Sequence, residues 1–424
     1  MTAMHPISRH LLLRRGGLLA FLALSAASMS MVVPILATSF SNPQHAVMLA
    51  GLPVGVRNAA YGVVVGVFPI TSFILAPLLG TLSDSLGRKR LLFLGAIGLS
   101  LSNLAVGAGI HLGLLPLLFA GRIAGGIAAG TTAVAEAAFV DTAPVERRHA
   151  FLGYALLCWG IGYAIGPAFA AAAAQWHLPG GMPLLLLTVS LFSLLLLPAL
   201  AALPHDGLRP GTGSIAQHPF CRAMADLAGI FSNQKLAAPA WSMLLSRMGT
   251  GAYGAFIPIF LIHRLSFGSE DIAWFLSLFG IGSGIAFFFI YPFVSARFAV
   301  RSITTLSLWG TLAAIALSLA YPEKHLAWIF PLPISIFLSL AYGGFMGIMA
   351  DTAGEERRGW IFGIANSLDS LALGLGVLLC GFFEAKSENS SMLVALALFL
   401  AAPLVFARHP RAAAQPAPQP RSIP

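Results

Sequence analysis

Long apolar stretches bounded by charge, proline or glycine recur twelve times along the chain, near residues 17–40, 59–82, 91–110, 114–140, 150–174, 182–203, 237–262, 271–295, 302–321, 326–350, 360–383 and 391–407. A helix rises 1.5 Å per residue and the hydrocarbon core of a bilayer is about 30 Å thick, so about 20 apolar residues cross it. Each stretch is therefore predicted to be a transmembrane helix, the last a short one, and the fold class is an all-α membrane protein. The first stretch follows Arg9, Arg14 and Arg15 and imitates a secretory signal, but it exceeds a signal's apolar region and eleven further spans follow. It is read as an uncleaved span.

Composition agrees. Of 424 residues, 58% are hydrophobic and 9% charged, against roughly a quarter charged in a soluble domain; the mean hydropathy is +0.85. The net charge of +9 raises the question of sidedness before that of nucleic acid. Of the 24 Lys and Arg, only Arg57, Arg264, Lys324 and Lys386 fall on one side of the predicted topology. Arg122 and Arg247 lie within spans, and the rest share the other side with both termini. The positive-inside rule makes that side the cytoplasm, and a nucleic-acid partner becomes unnecessary. Cys158, Cys221 and Cys380 are too scattered for a disulfide framework or a metal site.

The longest polar connection, 204–236, separates a six-span half at 1–203 from a second at 237–407, and an Ala/Pro-rich tail at 408–424 is expected to be disordered. Within the connection, Phe220, Met224, Leu227 and Phe231 follow Pro219 on one helical face, so a short amphipathic helix is expected there, lying on the membrane surface or serving as an ordered linker. The halves repeat each other. Asp141-Thr-Ala-Pro-Val-Glu-Arg-Arg-His-Ala-Phe-Leu-Gly-Tyr-Ala matches Asp351-Thr-Ala-Gly-Glu-Glu-Arg-Arg-Gly-Trp-Ile-Phe-Gly-Ile-Ala at eight of fifteen positions, at an offset of 210. Each copy joins the fourth and fifth spans of its half, the duplication expected of a transporter whose halves rock about a central site.

Three segments carry a family likeness: Gly80-Thr-Leu-Ser-Asp84-Ser-Leu-Gly87-Arg88-Lys89-Arg90 after the second span, Arg122-Ile-Ala-Gly-Gly126-Ile-Ala-Ala-Gly130 in the fourth, and Gly162-Tyr-Ala-Ile-Gly166-Pro167 in the fifth. Together they resemble the major facilitator superfamily, and its twelve-span, tetracycline-efflux-like branch of drug:proton antiporters in particular. Ser25 stands where that branch carries an Asp, nine residues before Pro34. The resemblance implies two pseudo-symmetric six-helix bundles and residence in the bacterial inner membrane. It also implies a cytoplasmic gate in which Asp84 docks near the eleventh span and Arg88 near Asp141, with Arg147, Asp351 and Arg357 in the same repeated corners. From the residues themselves, Gly80 and Gly87 are expected to permit a tight turn, and Gly162, Gly166 and Pro167 to permit close approach and a bend of the fifth span.

Ionisable groups at membrane depth are functional candidates by default. Arg122 lies about 12 Å into the fourth span and Arg247 about 15 Å into the seventh, at 1.5 Å per residue. Asp369 sits mid-way along the eleventh and Glu136 nearer the cytoplasmic end of the fourth. Arg122, Gly126, Ala129, Ala133 and Glu136 share a helical face, as do Arg247, Gly251, Gly254 and Pro258, while Asn366, Asp369 and Ser370 form a polar patch. Asp369 or Glu136 is expected to bind the coupling proton, with Arg122 tuning it. Cargo contacts are assigned to Arg122, Arg247, Asn366, Asp369, Ser25 and Tyr342, and a pairing of Arg247 with Asp369 is the competing structural role. Trp159, Tyr163, Trp274, Phe279, Tyr342 and Phe345 could stack an organic molecule.

The function expected is a proton-coupled efflux transporter of a small organic molecule, acting as a monomer among membrane lipid, with no cofactor beyond the proton gradient. Two alternatives stand beside it. The deep arginines suit an organic anion, zwitterion or metallophore such as a siderophore, and a non-transporting membrane receptor would share the topology. No zincin motif, serine-nucleophile motif or catalytic aspartate pair supports an enzyme.

Overall fold

The computed structural model describes residues 9–41, 48–144, 148–175, 181–195, 197–201, 219–353, 358–385 and 390–409. Arg147, Arg357, the first half of the 204–236 connection and most of the tail lie outside the described residues. Every described element is a helix. The first half holds α1 (Arg9–Ser41), α2 (Val54–Leu86), α3 (Arg88–Leu112), α4 (Leu115–Ala129), α5 (Thr132–Val140), α6 (Arg148–Gln175), α7 (Gly181–Leu195) and α8 (Leu197–Ala201). After α9 (Pro219–Ser232) come α10 (Ala237–Leu265), α11 (Ser269–Ile285), a π turn (Ala286–Ile290) and α12 (Tyr291–Ser295). The chain ends with α13 (Val300–Ala320), α14 (Lys324–Ala327), α15 (Pro331–Ala353), α16 (Arg358–Glu384) and α17 (Ser390–Phe406). Among the described residues, 10 helical segments are long and apolar enough to cross a membrane; α7, of 15 residues, and α17, of 17, are shorter.

Helix ends follow local chemistry. α2 stops at Gly87, whose φ of 85° is available to glycine at no steric cost, and α3 begins at the next residue. Gly80 and Asp84 lie within the last turns of α2, so the tight turn expected of both glycines belongs to Gly87 alone. The π turn precedes Pro292, which has no N–H to return to the helix, and it shifts the face that the chain presents from there on.

Glycine sets the helix pairing. A Cβ at Gly162 would lie 2.3 Å from the Ala23 carbonyl oxygen, and one at Gly166 2.3 Å from that of Ala27, so α6 rests directly on the α1 backbone. In the second half a Cβ at Gly376 would lie 2.0 Å from the Met248 oxygen, where α16 meets α10. Gly166 and Gly376 are related by the same offset of 210 as the repeated corners. Contacts between the halves run along two seams. α2 meets α16 where Gly62 faces Gly381, and α6 meets α11 where Gly280 faces Ala164. At the Ser41 end the Tyr61 hydroxyl donates to the Ala255 oxygen (2.6 Å), and a His263 ring nitrogen lies 3.3 Å from the Ser41 oxygen. Gly363 and Asn366, near the opposite end of α16, are exposed.

The amphipathic helix forms as α9, but protein covers its apolar face. Leu227 and Ile230 are buried in a cluster with Phe73 of α2, Met243 of α10 and Ile361 of α16, and the Phe231 and Trp241 rings are 4.5 Å apart. The side chain of Phe220 lies outside what is described. The corner at Asp141 is tied twice: Arg88 forms an ion pair with Asp141, and Arg15 donates to the Thr142 hydroxyl (3.1 Å) and carbonyl (2.6 Å). With side chains 35% and 44% exposed, the ion pair contributes at most about 1 kcal/mol.

Packing at the glycines makes a testable distinction. Gly166→Val and Gly376→Val should each cost about 1–3 kcal/mol through overpacking, seen as a lower melting temperature of the purified protein. Gly254→Ala, whose Cβ meets nothing within 4 Å, should leave it unchanged. Equal effects at the three positions would refute the proposed approach of α1 to α6 and α10 to α16.

Candidate functional site

Two polar clusters sit at membrane depth on facing sides of the chain. In the second half, α10 carries Arg247 and α16 carries Asp369. They form a side-on ion pair, Arg247 Nε to Asp369 Oδ1 and Nη2 to Oδ2 (3.3 Å), with side chains only 18% and 19% exposed. The guanidinium lies 5.1 Å from the centre of the Tyr342 ring of α15, and the Tyr342 hydroxyl donates to Asn366 Oδ1 at 3.1 Å. The pairing expected as a competing role is thus present, and it uses the two groups that compensate each other best in a low dielectric: a rigid guanidinium fork and a carboxylate.

In the first half the carboxyl is differently placed. Glu136 of α5 accepts from Trp159 Nε1 of α6 at 2.8 Å, and Trp159 stacks on Tyr163 with ring centres 5.8 Å apart. Among the described residues no cation pairs with Glu136. The clusters face each other: Tyr163 lies within electrostatic reach of Arg122, Arg247 and Asp369, and Tyr342 within reach of Glu136. Sequence reasoning proposed Trp159 and Tyr163 as stacking residues but missed the bond to Glu136. The repeat marks only the position, since Trp159 plus 210 is Asp369 whereas Glu136 plus 210 is Met346.

Other candidates take different places. Arg122 is 5% exposed; it donates to the Val64 and Val65 oxygens of α2 (both 3.3 Å) and lies 4.5 Å over the Phe68 ring. It braces α4 on α2, helped by Gly126, whose Cβ position is occupied by Phe68 and Thr71. Ser25 is buried in α1 and makes no hydrogen bond to either cluster among the described residues. Gly162 and Gly166 pack against α1, and Pro167 is buried within α6. Asp351, exposed at the end of α15, has no ion pair among the described residues, unlike its repeat mate Asp141. Phe345 is core, Phe279 packs on Tyr253 and Phe275, and Trp274 is exposed, so only Trp159, Tyr163 and Tyr342 join the clusters.

The ion pair is tested by a double-mutant cycle on thermal stability. Arg247→Gln and Asp369→Asn should each destabilise, by less than the about 3–5 kcal/mol of a fully buried pair. The double variant should recover a coupling of at least about 1 kcal/mol. Additive losses would show that the groups do not interact.

Residues 16–377 match the family described as Major Facilitator Superfamily. The class C tetracycline resistance protein of Escherichia coli is 25% identical over 413 residues, covering 90% of this chain and 93% of that one. The quinolone resistance protein NorA of Staphylococcus aureus (strain MSSA476) is 21% identical over 337 residues, covering 77% and 81%. Among solved structures, that of a D-xylose-proton symporter shares the fold with a TM-score of 0.72, at 17% identity over 94% of this chain and 97% of that one. Apolar helices, a duplicated half and a family match across most of the sequence lead to one conclusion: the chain belongs to the Major Facilitator Superfamily and is an integral membrane transporter, not an enzyme.

Proposed function

We propose that the protein is a proton-coupled exporter of small organic molecules, working by alternating access between two six-helix bundles, 1–203 and 237–407, joined through the 204–236 connection. Twelve spans result when α7 with α8 and α17 are counted with the ten long segments; a bilayer accommodates short spans by local thinning. The Lys and Arg distribution puts both termini in the cytoplasm of a bacterial inner membrane. On that topology the tight contacts at the Ser41 end close the outside, while the exposed Gly363 and Asn366 belong to a cytoplasmic opening.

The observation that carries the reading is the unequal state of the two carboxyls. Asp369 is paired with Arg247. Glu136 has no such partner among the described residues, so in this reading it holds a proton while sealed between the halves and releases it when its side of the cavity reaches water. Trp159, Tyr163 and Tyr342 offer ring faces, and Asn366 an amide, to a flat organic cargo. Both deep arginines are already engaged, which favours this reading over an organic anion. Export accords with relatives named for resistance to tetracycline and to quinolone, since carrying a drug outward is what makes a carrier protective. The protein acts as a monomer, its gate made by Arg88 and Asp141 with Asp84, Asp351, Arg147 and Arg357.

Proteoliposomes test the coupling. With a cationic dye as cargo, the unaltered protein should accumulate it against its gradient when a pH gradient is imposed. Glu136→Gln should abolish that accumulation yet retain dye exchange at equal pH, whereas accumulation that persists in Glu136→Gln would remove Glu136 from the proton path.

A further inference from the structure

Between α6 and α11, on the outer side of the seam, lies a groove of about 380 Å³ lined only by apolar residues, among them Gly160, Ile165, Ile281, Gly284, Phe288 and Phe289. With no polar group to hold it, water does not fill such a space. The groove is continuous with the lipid-facing surface, since Ile165, Ile281, Phe288 and Phe289 are 42%, 45%, 48% and 65% exposed.

A stripe leads from the groove toward the cytoplasmic end. Phe289, Phe293 and Arg297 recur every four residues, and Phe293 and Arg297 are exposed. Arg297 is held along the chain: its Nη1 donates to the Phe293 oxygen at 3.2 Å and its guanidinium lies 3.6 Å over the Phe293 ring. A guanidinium has five N–H donors, so most of them are left for another acceptor. From Gly284 to Arg297 the helical rise amounts to about 20 Å, against about 15 Å for half the hydrocarbon core. A chain end in the groove therefore places a headgroup at Arg297.

We propose that this face is a binding site for an anionic phospholipid of the cytoplasmic leaflet, with an acyl chain in the α6–α11 groove and the phosphate on Arg297. Charge complementarity selects the anionic headgroup, and the groove selects the chain. The site straddles the seam, where a Cβ at Gly160 would lie 3.4 Å from the Gly284 Cα. Resting on the reading that the halves move, the lipid shifts the balance between outward and inward states by binding one of them better.

The test reads binding, not transport, so it stands apart from the export reading. The purified full-length protein is titrated with phosphatidylglycerol or with phosphatidylcholine of the same chains, following the melting temperature and bound lipid by native mass spectrometry. Phosphatidylglycerol should bind about fivefold more tightly, the advantage of one interfacial cation. Arg297→Gln should erase that preference. Gly284→Leu, whose Cβ enters open space, should weaken both lipids alike by filling the groove. Equal binding of the two lipids by the unaltered protein, a preference that survives Arg297→Gln, or undiminished binding in Gly284→Leu would each overturn the site.

Discussion

A charge within the hydrocarbon of a bilayer has two ways to persist: it finds an opposite charge, or it exists only while water reaches it. In the proposed reading this chain uses both on opposite sides of its seam. Arg247 and Asp369 solve the problem by pairing, with Tyr342 beneath the guanidinium. Glu136 is bonded only to an indole N–H among the described residues, which is why the proposed function gives it the coupling proton. Arg122 takes a third course, its guanidinium spread on an aromatic face and two backbone oxygens, where it serves the packing of α2 and α4.

The helices around these groups are held by close backbone approach, because lipid tails are as apolar as leucine and burial of apolar area gives little drive within the membrane. Gly162 and Gly166 of α6 against α1, and Gly251 and Gly376 across α10 and α16, bring backbones together inside each half. Similar contacts, Gly62 with Gly381 and Ala164 with Gly280, lie between the halves. Smooth surfaces of this kind slide and part with little loss of interlocking side chains, which suits the alternating access proposed for the halves. The docking of α9 on α2, α10 and α16 adds a strap across one of them.

Much of the fold was legible in the sequence, since the apolar runs needed only a length rule and the repeated corner needed only an offset. Most helix ends were read to within about five residues, though α1 starts at Arg9, eight residues before the apolar run; the π turn and the break between α4 and α5 were not read, because neither changes hydropathy. The turn at Gly87 was legible but the helical place of Gly80 was not, since a glycine's conformation depends on its neighbours in space. For the site, depth alone singled out Arg122, Arg247, Asp369 and Glu136. Depth could not say that Arg122 turns toward α2, nor that Trp159 supplies the partner of Glu136, because those facts lie in rotamers and helix rotation. Ser25 was chosen by resemblance, and its burial in α1 reflects packing that no motif records.

The division of labour between the two carboxyls is tested most directly by infrared difference spectroscopy on the protein in lipid, recorded across a pH titration. The account requires a protonated-carboxyl band that titrates, disappears in Glu136→Gln and remains in Asp369→Asn. A titrating band that survives Glu136→Gln and is lost in Asp369→Asn would contradict it.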